Sequence, residues 1–99
     1  MSARYAFSAK LWRSGTGAGW FFLTLPADQT MPIKARALGH MKSFGSLRVT
    51  ALIGETKWNT SIFFDTKVGA FLLPVKADIR RKEGLGLGDT VTCSIEFER

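Results

Sequence analysis

The chain has 99 residues, 45% hydrophobic and 12% aromatic, which is enough apolar material for one folded domain and argues against intrinsic disorder. Its 14 Lys and Arg against 8 Asp and Glu give a formal charge of +6, all of which resides in residues 1–54. A basic half can attract polyanions, whereas scattered cations can also serve only to keep a small protein soluble.

The N-terminal quarter of the chain predicts two strands. Residues 3–12 alternate apolar and polar side chains with a period of two, as a half-buried strand requires. The predicted inner face carries Tyr5, Phe7, Ala9 and Leu11. Residues 14–19 are rich in glycine and predict a turn. Residues 20–25 are almost continuously apolar and predict a strand buried on both faces, which Pro26 ends because it has no N–H to donate.

A short helix is predicted within residues 27–38. Thr30 or Met31 could cap this helix, and Pro32 suits its first turn. Gly39 is a natural stop, because glycine readily adopts the conformation that ends a helix.

Two further alternating segments, residues 46–53 and 56–64, predict a β-hairpin that turns at Gly54 and Glu55. Residues 40–45, just before it, predict a basic loop. The side chains predicted to point inward are Leu47, Val49, Ala51, Ile53, Trp58, Thr60, Ile62 and Phe64.

The last part of the chain, residues 71–97, predicts one strand–helix–strand unit. A strand ends at Pro74, a short basic helix ends at Gly84, and a turn at Gly88 and Asp89 leads into the final strand. The predicted inner side of that final strand carries Val91, Cys93, Ile95 and Phe97.

Residues 20–53 contain a looser copy of this unit, which predicts an internal repeat. Each half has one apolar face, and two halves can bury those faces against each other. We therefore predict a mostly β fold in a single domain over residues 1–99. Its architecture is a small closed or partly open β-barrel of six to seven strands with two short helices and pseudo-symmetric, double-split-barrel-like halves.

Two resemblances follow from particular motifs. The closing unit resembles the swapped-hairpin barrels of the AbrB/MazE/MraZ class, in the pattern carried by Leu73, Pro74, Arg80, Leu85, Gly88, Asp89 and Val91. Nearly the whole chain resembles the bacterial family known as domain of unknown function 1905. The motifs are YxFxAxLW at 5–12, GWxFxxLP at 19–26, FGSxRVTAxIG at 44–54, WxTSxF at 58–63, LPVKxxIR at 73–80 and GDTV at 88–91. The AbrB-like resemblance implies DNA binding, whereas the second family implies no established catalytic residue.

The residues that build common catalytic and metal sites are scarce. His40 is the only histidine and lies in the predicted basic loop, and no nucleophile-elbow pattern surrounds any serine. Cys93, the only cysteine, has the spacing of a core side chain, and one His with one Cys cannot form a common zinc site. We therefore expect no catalytic, cofactor-binding or metal-binding residues, no cofactor and no enzymatic activity.

A candidate ligand-binding site combines polar, basic and aromatic residues. Its members are Trp58, Thr60, Ser61, Lys76 and Arg80. Cations on the short second helix, with Trp12 or Trp58 nearby, could hold a phosphate and stack a base or a sugar ring. In the alternative interpretation, the tryptophans cover the barrel ends and Arg80 caps its helix or pairs with Asp78 or Glu83.

The function predicted from these features is a non-enzymatic binding or interaction module of a bacterial cytoplasmic protein. A lone cysteine and the absence of an apolar N-terminal stretch favour the cytoplasm. The alternatives are a weak nucleic-acid-binding protein that uses a basic surface and a small-molecule or sugar-binding domain. The sequence does not identify the partner, which could be a protein or a polyanion. We expect no association with a membrane. We expect the protein to be a monomer or a weak homodimer.

Overall fold

Seven antiparallel strands form one sheet within residues 2–15, 19–42 and 45–98, the parts of the chain that this computed structural model describes. The strands are β1 (Ser2–Lys10), β2 (Trp12–Ser14), β3 (Trp20–Thr24), β4 (Ser46–Ile53), β5 (Thr56–Asp65), β6 (Ala70–Pro74) and β7 (Thr90–Glu98). Two short helices, α1 (Thr30–Arg36) and α2 (Ala77–Glu83), connect β3 to β4 and β6 to β7, and a 3-10 turn at Ala27–Gln29 precedes α1. No helix in these ranges is long and apolar enough to cross a membrane.

The sheet curls back on itself. Its strand order is β1-β7-β4-β5-β6-β3-β2, so that β1 and β2 form the two edges, yet only Leu11 separates them in the chain. Leu11 donates its N–H to the carbonyl of Asp89 at 2.9 Å and accepts from the N–H of Gly88 at 2.8 Å. The bent segment therefore borders both ends of the sheet, which gives the small, partly open barrel that the sequence predicts and shields the strand edges.

The two strand–helix–strand units pair with each other strand by strand. β3 lies antiparallel to β6, with Thr24 opposite Leu72, and β4 lies antiparallel to β7, with Ala51 opposite Ile95. β5 fills the gap between β4 and β6, while β1 and β2 flank β7 and β3. This arrangement has the pseudo-symmetric topology predicted for the fold, while the repeat in sequence stays a prediction.

The core follows the predicted strand phases. The inner faces of β1, β4, β5 and β7 are those expected from the alternation of apolar residues. Ile33 of α1 and Ile79 of α2 add one buried side chain each from the helices. The largest fully buried side chains are Phe71, Leu11, Leu23, Leu25, Ile33, Leu47, Ile62, Leu73 and Ile95.

The prediction that residues 20–25 are buried on both faces is wrong. Trp20 is 66% exposed, and Phe22 is only half-buried, because the outer side of β3 has no covering layer. β6 is instead the strand in which every residue is buried. A continuous apolar run indicates high overall burial, but it does not reveal whether a second layer covers the sheet.

The helix signals are correct at the C-terminus of α2 and wrong at both ends of α1. Gly84 is the C-cap of α2 with a φ of 64°, whereas α1 already ends at Arg36 with Ala37 as its C-cap, and Gly39, with a φ of 89°, lies in the turn that follows. Thr30 lies inside α1 and donates its hydroxyl to the carbonyl of Gly69 at 3.1 Å, so it ties the helix to the β5–β6 connection instead of capping it. The predicted turn at Asp89 is confirmed, since its carboxylate accepts the Gly86 N–H at 2.7 Å.

Two predicted loops fall partly outside the described residues. Residues 16–18 of the predicted glycine-rich turn and residues 43–44 of the predicted basic loop are among them.

The β4–β5 turn is joined to the end of α2. The hydroxyl of Thr56 donates to the carboxylate of Glu83 at 2.5 Å. Gly54 has a φ of 57°, and a Cβ at this position would collide with that same carboxylate. The glycine is therefore required both by its backbone conformation and by the approach of α2.

Gly54→Ala is expected to destabilise the protein more than Gly69→Ala. Both glycines have positive φ, so each substitution costs about 1 kcal/mol in backbone strain. Only the first also disturbs the Thr56–Glu83 hydrogen bond, which adds about 1 kcal/mol. Urea unfolding of the two variants measures the difference, and equal losses would show that the glutamate side chain moves away at no cost.

Candidate binding surface

The five predicted site residues lie in three different settings. Trp58 and Thr60 point inward from β5, where Thr60 is buried and the Trp58 indole nitrogen has no hydrogen-bond partner among the described residues. Ser61 points outward from the same strand. Lys76 directly precedes α2, and Arg80 lies within it. Of the five, only Lys76 and Arg80 line a common groove.

The groove that Lys76 and Arg80 share, called the cationic groove here, has a volume of about 290 Å³ and is also lined by Trp20 and Phe21. The Arg80 guanidinium lies over the Phe21 ring, with its Cζ atom 3.7 Å from the ring centroid. Such a cation–π contact holds the charged group in place, and the Nε atom of Arg80 is buried without a hydrogen-bond partner among the described residues. The tryptophan beside the two predicted cations is therefore Trp20, not Trp58.

Arg80 does not make the contacts expected in the alternative interpretation. Within the described residues its side chain pairs with neither Asp78 nor Glu83. Asp78 accepts the N–H of Ile79 at 3.0 Å, and Glu83 accepts from the Thr56 hydroxyl. The guanidinium is therefore positioned by packing and lacks a carboxylate partner there.

A second surface, called the aromatic face here, covers the outer side of β2, β3, β6 and β5. It consists of Trp12, Trp20, Phe22, Phe63 and Leu72. The strand register places Trp12 opposite Phe22 and Phe63 opposite Leu72, and directly opposed residues share a side of the sheet. Ring centroids lie 5.1 Å apart for Trp12 and Phe22 and 6.3 Å apart for Trp20 and Phe22. The face is thus an aromatic cluster and not a set of scattered side chains.

The aromatic face is exposed and continuous with the cationic groove. Trp20 is 66% exposed and Phe63 is 44% exposed. Together with Phe22, Leu72 and Ser14, they line a shallow groove of about 360 Å³. Trp20 also lines the cationic groove, so the two grooves meet at this residue. A clustered apolar surface of this kind is typical of binding sites.

The sequence contained a signal for this face. Trp12 and Phe22 flank the glycine-rich residues 14–19, and a hairpin across that turn would place the two rings side by side. Phe63 likewise faces Leu72 across the local turn between β5 and β6, but its position beside Phe22 depends on the pairing of β3 with β6, two strands that are distant in sequence.

A family profile described as domain of unknown function (DUF1905) matches residues 7–95. The chain belongs to this family. The matched region of the DUF1905 domain includes both helices, the whole aromatic face, and Lys76 and Arg80. A comparison with curated proteins finds no match.

Further cations lie beside the aromatic face of this DUF1905 domain. On one side, Arg48 contacts the Ser61 hydroxyl at 3.5 Å, two residues before Phe63 on β5. Exposed Arg13 is paired with Phe21 across β2 and β3, so it lies on the side of the sheet opposite to Trp12 and Phe22. The positive charge beside the rings is therefore that of Arg48 at one end and of Lys76 and Arg80 in the cationic groove at the other.

The opposite part of the DUF1905 barrel, formed by β1, β7 and β4, has a polar outer surface. Its side chains are largely paired with each other, as in the Ser8–Thr92 and Thr50–Asn59 hydrogen bonds, both 3.0 Å. An open groove of about 370 Å³ on this side is lined by exposed His40 and also by Arg48, so Arg48 lies at the border between the polar side and the aromatic face. This polar surface has no aromatic cluster comparable to the aromatic face among its lining residues.

Cys93 is poorly suited to nucleophilic chemistry in this DUF1905 domain. It is buried on the inner side of β7, and burial raises the pKa of its thiol from 9.0 to about 12. The reactive thiolate is therefore scarce at neutral pH. Among the residues described, no group of three His, Cys, Asp or Glu side chains could hold a metal ion.

Proposed function

We propose that this DUF1905 chain is a non-enzymatic binding or interaction module that recognises its partner through the aromatic face and the adjoining cationic groove. The observation that carries the proposal is the exposure of Trp20 and Phe63 in one continuous groove on the outside of the barrel. Exposing large aromatic side chains to water is unfavourable, and in soluble domains such clusters commonly bind a partner.

The chemistry of the other side chains supports a role without catalysis. Cys93 is inaccessible, and its raised thiol pKa leaves little nucleophile at neutral pH. His40, the only histidine, is an exposed side chain on the polar side, away from the aromatic face. Within the described ranges no serine, threonine or cysteine side chain forms a hydrogen bond with His40, as a catalytic pair would require.

The proposed setting is the reducing cytoplasm of a bacterium, because the only cysteine is a free thiol in the core. We propose a monomer or a weak homodimer. The AbrB-like pattern in β6, α2 and β7 stays a prediction; DNA binding of the kind it implies would use other surfaces, because AbrB-like proteins generally bind as dimers.

Chemical-shift mapping of the ¹⁵N-labelled protein tests the proposed surface. We expect at least one ligand from a panel of short peptides, oligosaccharides and oligonucleotides to shift amide signals of β2, β3, β5 and β6. Phe63→Ala is expected to reduce those shifts, because it removes part of the aromatic face. Lys57→Ala is the matched control, since this exposed residue lies on β5 outside the face.

The mapping can also contradict the proposal. Shifts confined to β1 and β7 would assign binding to the polar side of the barrel. The proposal would likewise fail if no member of the panel shifted any signal at millimolar concentration.

A further inference from the structure

We propose that the aromatic face and the cationic groove bind single-stranded nucleic acid, with bases stacked on Trp20, Phe22 and Phe63 and phosphates held by Lys76, Arg80 and Arg48. The inference rests on the proposed function, because it names the partner of the same surface. Proteins that bind single strands combine aromatic platforms with a positively charged groove, and both components adjoin here.

The aromatic face is larger than a single base requires. Trp20 and Phe22 lie on β3 with ring planes only 13° apart, so both present similarly oriented surfaces. Phe63 lies on β5, two strands away, which corresponds to about 10 Å at the usual spacing of β-strands. A platform of this width suits successive bases of a strand better than one isolated nucleotide.

The cations are positioned for phosphates beside those bases. Arg80 is held over Phe21 at 3.7 Å, and Lys76 lines the same groove as Trp20. Neither side chain has a carboxylate partner within the described parts of the chain. A guanidinium that is fixed in orientation and free of a carboxylate can present the N–H donors of its two terminal nitrogens to phosphate oxygens, whereas the Nε atom of Arg80 is buried.

A second positive charge lies at the far side of the aromatic face. Arg48 reaches across to Ser61, and Ser61 precedes Phe63 by two residues on the same strand. Cations therefore lie at both ends of the row of rings, as a polyanion crossing the face would require. A neutral peptide or sugar could stack on the rings, but it would leave these charges unused.

Single-stranded nucleic acid fits better than a duplex. In a duplex the bases are stacked on each other and unavailable to protein rings, and sequence is read mainly by helices or ribbons in the major groove. The helices of this protein have seven residues each, and the aromatic face lies on the strands. We expect duplex binding to be weaker, in the non-specific range of about 10⁻⁴ to 10⁻⁶ M.

Fluorescence anisotropy with a labelled oligothymidylate of about 12 nucleotides tests the inference, since this length lies within the range of about 4–16 nucleotides that single-strand-binding domains occupy. We expect binding that weakens between about 50 and 200 mM salt, with a slope of log K against log salt of about −2.1 for three phosphate contacts. Binding to the same sequence as a duplex should be weaker, and thymidine monophosphate should compete poorly.

Single-residue variants distinguish the contribution of base stacking to the affinity from the contribution of positive charge. Trp20→Ala is expected to weaken binding about 10-fold or more through loss of a stacked base, and Trp20→Phe should restore most of the affinity. Lys76→Ala should lower the affinity and reduce the salt slope by about 0.7. Lys82→Ala removes the same charge from an exposed position of α2 outside the groove, and it should leave the slope unchanged.

Several outcomes would overturn the inference. These are failure of the oligothymidylate to bind at low salt, equal or tighter binding of the duplex or of thymidine monophosphate, and equal effects of Lys76→Ala and Lys82→Ala. If a peptide or an oligosaccharide shifts the amide signals of the aromatic face while the oligonucleotide does not, the proposed binding module is retained. Only the nucleic-acid partner is then rejected. If the oligonucleotide shifts only amide signals on the polar side of the barrel, both the proposed binding surface and the inference about single-stranded nucleic acid fail.

Discussion

Phe71→Ala is expected to lower the free energy of unfolding by about 3–5 kcal/mol. Phe71 is fully buried in β6 and packs edge-on against Phe64, with ring centroids 5.5 Å apart. Removing its ring loses buried apolar area and leaves a cavity that neighbouring strands cannot fill. Since small domains have total stabilities of about 5–15 kcal/mol, the variant would be close to the limit of folding.

Phe63→Ala is the matched control for this substitution. Phe63 lies on the adjacent strand β5, but it points outward and is 44% exposed. Its loss is expected to cost about 1 kcal/mol or less. Urea unfolding measures both variants, and similar losses would show that the outer aromatic face is a structural element and not a surface kept for binding.

The second large effect concerns alkaline pH and the thiol of Cys93. Desolvation by burial raises its pKa from 9.0 to about 12, while a hydrogen bond with the backbone of Leu52 opposes the shift. In the unfolded chain the thiol ionises near pH 9, whereas the folded protein keeps its proton until about pH 12. The stabilisation is therefore complete below pH 9 and is lost as pH rises towards 12, at about 1.4 kcal/mol per pH unit.

Cys93→Ala isolates this contribution. The variant lacks the titrating thiol, so the difference in unfolding free energy between it and the wild type should change above pH 9 with the stated slope. Native Cys93 should also react with a thiol reagent at pH 9 about 500-fold more slowly than the unfolded chain, because its thiolate is scarce. Parallel stability curves for the two proteins, or fast labelling of the native thiol, would contradict the assignment.

Much of the fold was predictable because its signals are local. The alternation in residues 3–12 and 46–53 placed Leu11 and Val49 inward, and both side chains are buried. Gly84 marked the end of α2 because it adopts a left-handed conformation that other residues avoid. Thr30 shows the limit of local reasoning, because its hydroxyl bonds to a carbonyl 39 residues away instead of capping the helix.

The binding surface was only partly predictable. Lys76 and Arg80 were recognised as neighbours because they lie close together in the chain, Lys76 just before α2 and Arg80 within it. Their aromatic partners Trp20 and Phe21 were missed, since β3 and α2 are distant in sequence and meet only through the pairing of β3 with β6. Trp58 was assigned to the site although its alternation already predicted an inward side chain, and the structure places it inward, away from Lys76 and Arg80 in the cationic groove.

By itself, the sequence determined the inner face of most strands, the C-terminal end of α2 and membership of the DUF1905 family. These properties depend on residues close together in the chain or on the order of short motifs. The tertiary structure alone decided that Trp20, Phe22 and Phe63 form one exposed surface and that it adjoins Lys76 and Arg80. The physical reason is that strand neighbours, and the side of the sheet left uncovered, are set by how the sheet curls and not by any local pattern.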